Sequence, residues 1–575
     1  MIQTIRNKNS RIQWKIFEQS VEVVAVVFGA GLLARFGFTH GGQVFASDTL
    51  MYIDTALHGI ASPFVLNRYT HIFILRFFTY FASTPLEGMR FYSAFIAFSC
   101  ILLVYYSARI IFKKSSLING IIAVGLFLSI PAILERIIAP LVDTTAMLMM
   151  LSLVAIYIKS ARKNHSNMWF LILFGVFLFM SLRTKEVTIV AAILILGFGL
   201  VEEKSINSRM LLKKSLYIAV GMMIAALLNV AINAIILDTP FFGFRPADIN
   251  AYIETWSAII GSSSSNAGGV TFDSLLMAKT GYLFVLYVSA GLILRRRLPR
   301  NIRLLWIIPL ALVAILILFS TRENWLIVSR GFTSGFAIIC ILGSQVVLID
   351  GLRRANLGSD AAAALVTLAG IGVLGGIGLL TKGDLPFGVY FYSAYGPIAF
   401  SLILSILFLS RERRASGIAI VLLLLSVNVY QIRLNLLDVA NKPELLRYNY
   451  RFQPILAFEE EIRDHDGLDM YVSSAVLPSL AIGGNRDELS ALVNIALDIR
   501  TERADYVVGT LDEEFVGELD VGEYSPILIT TSDWDWLRTA PQDRPEWRIR
   551  YTAFSEPSNR FILLQRVEIS PSPDE

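Results

Sequence analysis

The chain has 575 residues, of which 55% are hydrophobic and only 17% are charged. Because soluble domains usually carry about a quarter charged residues, this composition excludes an ordinary soluble protein and favours a membrane protein. Residues 1–439 contain 37 Lys and Arg against 20 Asp and Glu, whereas residues 440–575 contain 13 against 26. A basic apolar part joined to an acidic polar part indicates two physically different environments.

Apolar runs long enough to cross a bilayer follow one another through the basic part. Since crossing about 30 Å of hydrocarbon takes roughly 20 mostly apolar residues, we predict about thirteen transmembrane helices. They lie near residues 18–38, 88–112, 117–136, 141–159, 168–184, 187–203, 211–237, 281–298, 302–320, 325–349, 361–381, 389–410 and 415–433. The two short runs at 168–203 leave another interpretation open. A basic N-terminus without a small-residue cleavage site predicts that the first helix is retained.

The basic residues set the orientation. If the N-terminus is cytoplasmic, every inner connection is basic, with Arg109, Lys113, Lys114, Lys159, Arg162, Lys163, Lys204, Arg209, Lys213, Lys214, Arg295, Arg296, Arg297, Arg300, Arg303, Arg353, Arg354, Arg411, Arg413 and Arg414. This positive-inside pattern predicts a plasma-membrane or inner-membrane protein with two long outer loops, at 39–87 and 238–280. It also places the C-terminal domain outside the cytoplasm.

The hydrophobic pattern changes after Leu437. We therefore predict a transmembrane domain at residues 1–437 and a small soluble α/β domain at 438–575. Helices at 453–465 and 487–503 are expected to alternate with strands at 470–476, 506–509 and 527–530, and a β-hairpin is expected from 548–554 and 560–567. The sequence Asp533-Trp534-Asp535-Trp536 suits sugar stacking, but we favour core packing of one or both Trp residues.

Cys100 and Cys340 both lie in apolar runs, without a neighbour at metal-ligand or redox spacing. We expect both to be small buried hydrophobes, and no disulfide framework is indicated.

Two acidic residues mark the outer edge of the predicted bundle. Asp48 follows Ser47, a good N-cap, so Asp48 would begin a short helix against the membrane surface. Asp143 lies where an outer loop re-enters the membrane, and a carboxylate there is unfavourable unless it faces water, a cation or another partner. Each residue alone is also explained as an acidic group that complements a helix dipole.

Basic residues are scarce on the predicted outer side, so the few that occur there are candidates for a functional role. Arg68, Lys185 and Arg330 all fall at or near this face. Arg binds phosphate oxygens through two parallel hydrogen bonds and Lys binds them as a point charge. Ion pairing, or snorkelling of the side chains to lipid headgroups, is the alternative.

These residues together resemble a known family. Asp48-x-x-x-Tyr52 is similar to the Asp-Glu-x-x-Tyr opening of the GT-C glycosyltransferases, which include protein O-mannosyltransferases and lipid A aminoarabinose transferases. Further similarities follow in order over most of residues 30–340: Asn67-Arg68-Tyr69-Thr70-His71, Gly88-Met89-Arg90-Phe91-Tyr92-Ser93, Leu141-Val142-Asp143-Thr144, Leu182-Arg183-Thr184-Lys185-Glu186 and Val328-Ser329-Arg330-Gly331. Thr49 stands where the opening motif of the family has its second acidic residue, and this difference leaves metal dependence open.

The resemblance implies a mainly α polytopic membrane enzyme with a GT-C-like fold. It would be a hexosyl or pentosyl transferase that takes its sugar from a polyprenyl-phosphate donor at the outer face, with inversion. Asp48 would be the base that takes the acceptor's proton. Asp143 would orient the acceptor or share a divalent cation with Asp48.

The resemblance also assigns the remaining site residues. Arg68, Lys185 and Arg330 would hold the donor phosphate, and Tyr52 and His71 would contact substrate. No cofactor is expected beyond a possible divalent cation. The expected partners are the lipid bilayer, the lipid-linked donor and a lipid, polysaccharide or protein acceptor, without nucleic acid.

Other functions and sites stay open. A polymerase or ligase of lipid-linked polysaccharide would share the donor chemistry, although such proteins place their catalytic residues in a late outer loop. A lipid or sugar flippase would favour charged or broken helices in two matched halves, and we find no such repeat. Asp54 and His58 are four residues apart, but a pair at this spacing is mostly a local surface contact.

Overall fold

The structure is a computed structural model, and it describes only part of the chain. The described residues are 20, 23–24, 26–35, 37–38, 52–53, 55–57, 67–83, 85–112, 116–128, 133, 141–162, 167–199, 208–263, 291, 298–320, 333–347, 458, 469–473, 475–476, 506–509, 511, 515, 524–539, 551–555 and 561–566. The chain divides into two compact units, which we describe separately. The first comprises Met1–Gly41, Gly59–Ile74 and Phe91–Asn441, and the second comprises Gly42–His58, Leu75–Arg90 and Lys442–Glu575. The domain boundary after residue 437 stays a prediction.

The helices run through the first 347 residues. Their bounds are α1 Tyr69–Phe81, α2 Pro85–Ile111, α3 Ser116–Leu128, α4 Val142–Arg162, α5 Met168–Leu182, α6 Ile193–Gly199, α7 Ser208–Ile236, α8 Pro246–Ser263, α9 Arg300–Arg303, α10 Ile307–Ser320 and α11 Thr333–Val347, with 3₁₀ helices at Glu186–Ala192 and Leu304–Trp306. Residues 26–35 are also helical.

Three described helices are long and apolar enough to cross a membrane: Glu87–Ile111, Val142–Ala161 and Ser208–Ile236. They agree with the spans predicted at 88–112, 141–159 and 211–237. Four predicted spans lie wholly or almost wholly outside the described residues: 361–381, 389–410, 415–433, and 281–298 except residues 291 and 298. The total of about thirteen spans therefore stays a prediction.

The helices differ in how much of their surface is covered by other helices. The apolar window of α4 is 89% buried inside the protein, whereas that of α7 is only 28% buried. Leucines and isoleucines such as Leu212, Leu227 and Ile235 are exposed on α7. A helix that is apolar all round but little covered by protein suits a lipid-facing position. Thus α4 is a central helix of the first unit, and α7 is a peripheral one.

The short run predicted at 187–203 is not one continuous α-helix. It begins as the 3₁₀ helix Glu186–Ala192 and continues as α6. Val187, Thr188, Ile189 and Val190 are successive β-branched residues, which crowd the preceding turn of an α-helix. Short 3₁₀ pieces commonly occur beside α-helix ends, and this one follows the tight turn at 183–185.

Helices α5 and α7 cross at two glycines. A Cβ atom at Gly175 would collide with the carbonyl oxygen of Ile218, and one at Gly221 would collide with the carbonyl oxygen of Ile172. Small residues allow membrane helices to approach backbone to backbone, where close packing stabilises the pair. This crossing fixes the position of α5, and the predicted Lys185 motif includes the end of this helix.

The second unit contains a five-stranded sheet with the strand order β2-β1-β3-β5-β4. The strands are β1 Asp469–Ser473, β2 Tyr506–Gly509, β3 Tyr524–Thr530, β4 Tyr551–Ser555 and β5 Phe561–Arg566, and α12 Thr531–Thr539 follows β3. Strand β1 is parallel to β2 and β3, whereas β3, β5 and β4 are antiparallel. The predicted hairpin is present as the β4–β5 pair. The helices predicted at 453–465 and 487–503 lie outside the described residues, apart from Phe458.

The sheet packs against α12. Ile527 and Ile529 of β3 and Leu537 of α12 are buried in one hydrophobic cluster, and Trp534 packs against it. Trp536 is 37% exposed. Core packing therefore explains the presence of Trp534, but it explains that of Trp536 only in part.

Both cysteines are buried, as the sequence predicts, and both are free thiols.

Candidate functional site

A tight turn after α5 presents three charged side chains close together. Arg183 ends the helix, with its backbone N–H donating to the Phe179 carbonyl at 2.9 Å. Lys185 then has an extended backbone, and Glu186 begins the 3₁₀ helix. Because the backbone changes direction at each of these residues, their side chains point to different neighbours within the first unit.

Lys185 forms an ion pair with Asp143. The Lys185 ammonium donates to Asp143 Oδ1, and the Asp143 side chain is only 3% exposed. Asp143 lies in the first turn of α4, where a carboxylate is also stabilised by the helix dipole. The structure thus joins two residues that lie 42 positions apart in the sequence.

Arg68 forms a second ion pair with Glu186. Arg68 Nη1 donates to Glu186 Oε1 at 2.9 Å and to the Thr184 carbonyl at 3.3 Å. The Arg68 side chain is 5% exposed, whereas that of Glu186 is 48% exposed. The carboxylate, rather than the guanidinium, therefore faces water. We refer to Arg68, Asp143, Arg183, Lys185 and Glu186 as the charged cluster.

Glu186 accepts hydrogen bonds from further groups. Asn67 Nδ2 donates to it at 3.3 Å, and the Tyr252 hydroxyl of α8 donates to the same oxygen as Arg68 does. Burial by itself would raise the pKa of Glu186, but the Arg68 charge and the hydrogen bonds from Tyr252 and Arg68 outweigh it and lower the pKa to about 2. Burial raises the pKa of the Tyr252 hydroxyl, so it stays a donor. Glu186 is therefore ionised at neutral pH.

Arg183 is a buried cation between two aromatic rings. Its guanidinium carbon lies 4.7 Å from the centre of the Tyr69 ring and 5.1 Å from that of Phe244. Its Nη1 donates to Asn67 Oδ1 at 3.2 Å and to the Gly243 carbonyl at 3.4 Å. Within the described residues, Nε and Nη2 have no hydrogen-bond partner. No carboxylate of the described segments pairs with this guanidinium, whose charge is stabilised by the ring faces.

The beginning of the second outer loop is fixed beside Arg183. Gly243 has a φ of +79°, and a Cβ atom there would collide with the Arg183 guanidinium. The Gly243 backbone N–H donates to Asp248 Oδ2 at 2.8 Å. Asn233 of α7 donates to the Phe242 carbonyl at 3.1 Å. A glycine tolerates this backbone conformation and this close contact, which a larger residue would prevent.

A second, neutral cluster lies beside the charged one. His71 Nδ1 lies 2.9 Å from Thr145 Oγ1, and the Tyr92 hydroxyl lies 2.7 Å from the same oxygen and 3.0 Å from Thr144 Oγ1. All four side chains are buried. We call them the hydroxyl cluster. His71, predicted to contact substrate, is enclosed by protein groups from α1, α2 and α4.

The structure brings together some of the predicted site residues. Arg68, Lys185 and Asp143 meet in the charged cluster, and His71 lies in the neighbouring hydroxyl cluster. Tyr52 does not belong to either cluster: it is buried in the second unit. The short helical segment around it is held by Arg76, whose Nη1 donates to the Ala56 carbonyl at 2.6 Å.

Other predicted site residues lie outside the described part of the chain: Asp48, Arg330, Asp54 and His58. Their roles stay predictions.

Arg183, Glu186 and Tyr252 were not selected from the sequence. Arg183 and Glu186 belong to the quoted motif at 182–186, but no spacing rule indicates which partner each would reach. Tyr252 lies in an outer loop without a motif, so only the tertiary contact identifies it.

The described residues do not form a metal site. Among them, no group of three or more His, Cys, Asp or Glu side chains could hold a metal ion. Asp143 is paired with an ammonium group, which competes with any cation for the same oxygen. The predicted divalent cation between Asp48 and Asp143 stays a prediction because Asp48 is not described.

Comparison with known proteins gives matches in structure alone. No protein-family model and no curated protein sequence matches this chain. ArnT from Cupriavidus metallidurans bound to undecaprenyl phosphate matches with a TM-score of 0.54 and 15% identity, over 97% of this chain and 99% of that one. The apo state of ArnT matches with a TM-score of 0.49 and 15% identity, over 97% and 98%. The apo oligosaccharyltransferase of Archaeoglobus fulgidus matches with a TM-score of 0.44 and 11% identity, over 96% and 75%.

The match to lipid-bound ArnT extends over nearly the full length of both chains, and at 15% identity it establishes the fold. The chain thus has the fold of a lipid A aminoarabinose transferase, a GT-C glycosyltransferase. The predicted resemblance to this group is confirmed.

Proposed function

We propose that this protein transfers a glycosyl group from a polyprenyl-phosphate donor to an acceptor at the outer face of the membrane, with inversion at the anomeric carbon. One observation carries the proposal. In the described part of a GT-C fold, Arg68 and Lys185 each pair with a carboxylate and Arg183 lies close by on aromatic rings, and the ArnT structure with that fold holds undecaprenyl phosphate.

The charge balance of the charged cluster supports an anionic ligand. Asp143 and Glu186 each pair with one cation, and Arg183 is left with aromatic rings and neutral oxygens. Counting only the described residues, the cluster holds three cations and two carboxylates, which leaves a net charge of +1. Away from bulk water such a charge attracts an anion strongly, and cations placed in advance stabilise a leaving phosphate.

The reaction balances as a displacement at the anomeric carbon. The bond between this carbon and the phosphate oxygen breaks, and a bond to the acceptor oxygen forms. The acceptor hydroxyl loses its proton to a carboxylate base, and the polyprenyl phosphate leaves with the electron pair of the broken bond. The negative charge that grows on the phosphate is stabilised by Lys185 and Arg68.

Asp48 has the role of the base in this proposal, and Asp143 orients the acceptor. The ion pair with Lys185 holds Asp143 beside the group that binds phosphate, so the acceptor and the leaving group are positioned together. Arg330 is the third phosphate-binding residue. The substrate-binding roles of Tyr52 and His71 stay predictions, since Tyr52 belongs to the second unit and His71 is enclosed by protein groups.

The test is a donor panel. Purified protein in nanodiscs is incubated with several polyprenyl-phosphate sugars, and mass spectrometry measures which sugar is consumed and whether polyprenyl phosphate is released. We expect one donor to be consumed by the wild-type protein and by Lys213→Gln, a control at an exposed lysine of α7, but not by Asp48→Asn.

Two results would overturn the proposal. Consumption of no donor at all would exclude the transferase, and movement of an intact donor across the bilayer would indicate a flippase instead. Full activity of Asp48→Asn would remove Asp48 from the role of base. Repeated addition of the same saccharide unit to a growing chain would favour the polymerase.

A further inference from the structure

We infer that Glu186 is an exchangeable counter-ion: the donor phosphate takes its place on Arg68, and this exchange releases α8 of the second outer loop through Tyr252. The inference rests on the proposed function, in which Arg68 binds the donor phosphate. It adds two residues, Glu186 and Tyr252, and a movement of a described helix.

The first step of the argument is the occupation of Arg68. Its Nη1 is bonded to Glu186 Oε1 at 2.9 Å and to the carbonyls of Thr184 and Asn67, each at 3.3 Å. Backbone carbonyls are fixed by the fold, so they cannot leave when a ligand arrives. Glu186, by contrast, is an anionic side chain bonded to Arg68 in the described part of the protein, and a side chain can rotate away.

The second step is the direction in which Glu186 can move. Its side chain is 48% exposed, so rotation away from Arg68 brings the carboxylate into water without burying a charge. A phosphate on Arg68 would repel the ionised carboxylate at this distance. Phosphate also matches the planar guanidinium with two parallel hydrogen bonds. Both effects favour exchange of the carboxylate for the phosphate.

The third step links the exchange to α8. Tyr252 donates to the same Glu186 oxygen that Arg68 uses, so the two contacts depend on one position of the carboxylate. Asp248, four residues earlier on α8, holds the Gly243 backbone N–H at 2.8 Å. The beginning of α8 is thus anchored independently of Glu186, whereas in its next turn the Tyr252 hydroxyl bonds to Glu186 and the Tyr252 ring packs against Tyr69, Leu237 and Phe242.

Exchange at Arg68 would therefore loosen α8 from Tyr252 onward and keep its first turn in place. This motion suits admission of an acceptor after the donor has bound.

The first test measures lipid-phosphate binding. Full-length protein in nanodiscs is titrated with undecaprenyl phosphate, and native mass spectrometry gives the dissociation constant. Because Glu186→Gln removes the competing charge and keeps an acceptor for Tyr252, we expect binding about 3- to 10-fold tighter than in the wild type. Glu254→Gln is the matched control, since it removes an exposed carboxylate from α8, the helix that carries Tyr252. It should bind as the wild type does.

The outcomes separate the two ideas. Binding weaker than wild type, or unchanged, for Glu186→Gln overturns the inference, because a carboxylate that merely positions Arg68 should help binding. No binding of undecaprenyl phosphate by the wild-type protein overturns the proposed function, and the inference with it.

The second test follows α8 itself and does not require Glu186 to be changed. Hydrogen exchange of residues 249–263 is measured with and without undecaprenyl phosphate. We expect the lipid to accelerate exchange severalfold in the wild type and in Glu254→Gln. Tyr252→Phe lacks the hydroxyl, so it should exchange fast without lipid and respond little to it. Slower exchange on lipid addition, or an unchanged lipid response in Tyr252→Phe, overturns the inference.

Discussion

The charged cluster and the hydroxyl cluster begin at successive residues of one helix and differ in almost every physical respect. Asp143 at the start of α4 pairs with Lys185, whereas Thr144 and Thr145 turn to Tyr92 and His71. The charged cluster includes a half-exposed carboxylate and a cation without a carboxylate partner. The hydroxyl cluster is neutral and buried throughout.

The comparison separates groups that can respond to a ligand from groups that hold helices together. The buried hydroxyls of Tyr92, Thr144 and Thr145 bond to one another, and such a network rigidifies the helices that carry it. Paired charges with one partner near water can change partners when an anion arrives. We therefore expect mutations in the first cluster to reduce turnover, and those in the second to reduce stability with little effect on turnover.

The largest effect is expected at Lys185. Lys185→Met removes the ammonium group that pairs with the buried Asp143 carboxylate, so we expect the free energy of unfolding to fall by about 3 to 5 kcal/mol. Donor turnover should fall by about a hundredfold or more, since a cation at the leaving phosphate is lost. Thermal unfolding in detergent and a donor-consumption assay measure the two effects.

A double variant sharpens this prediction. Asp143→Asn combined with Lys185→Met removes both charges, so stability should largely return while turnover stays low. Lys185→Arg keeps the charge and should stay closest to the wild type. If Lys185→Met behaved like Lys213→Gln, the ion pair would have no part in either stability or transfer.

A smaller effect is expected at Arg183. Arg183→Gln removes the unneutralised charge from between the Tyr69 and Phe244 rings, so we expect the KM for the donor to rise about tenfold with a smaller change in kcat. Steady-state kinetics measure both constants. Arg245→Gln is the control, since its exposed side chain pairs only weakly with Asp248. Equal KM values for the two variants would contradict a role of Arg183 in attracting phosphate.

The smallest effect on turnover is expected in the hydroxyl cluster. Tyr92→Phe removes a hydroxyl that bridges Thr144 and Thr145, which should lower the free energy of unfolding by about 1 to 3 kcal/mol. Turnover of the folded protein should stay within about threefold of wild type, because less than 1 kcal/mol of transition-state stabilisation is involved. Tyr80→Phe, at an exposed ring, is the control. A large loss of kcat without loss of stability would place this cluster in the chemistry.

Much of the fold could be predicted from the sequence where the signal is local. Residues 88–112, 141–159 and 211–237 are apolar over the length of a bilayer, and each corresponds to a described long helix. The β4–β5 hairpin was predicted from two strand-like runs around a turn sequence. The run at 187–203 was less clear, since its β-branched residues form a 3₁₀ helix first.

The candidate site could be predicted in its residue types but not in its pairings. Asp143, Arg68 and Lys185 were chosen because charges are rare at the outer edge of an apolar bundle, and the structure brings all three into one cluster. Arg183 and Glu186 lie beside Lys185 in the sequence, but no local pattern predicts which side chains they contact. Tyr252 has no sequence signal at all.

The sequence by itself determined where apolar helices form and where charges interrupt them, because hydropathy and residue size act within one segment. Only the tertiary structure decided that Lys185 meets Asp143, that Glu186 joins Arg68 to Tyr252, and that Arg183 lies between two rings. Ion pairs and ring contacts depend on distances of a few ångströms between segments up to 118 residues apart. Those distances are set by helix packing, such as the glycine crossing of α5 and α7, rather than by any local pattern.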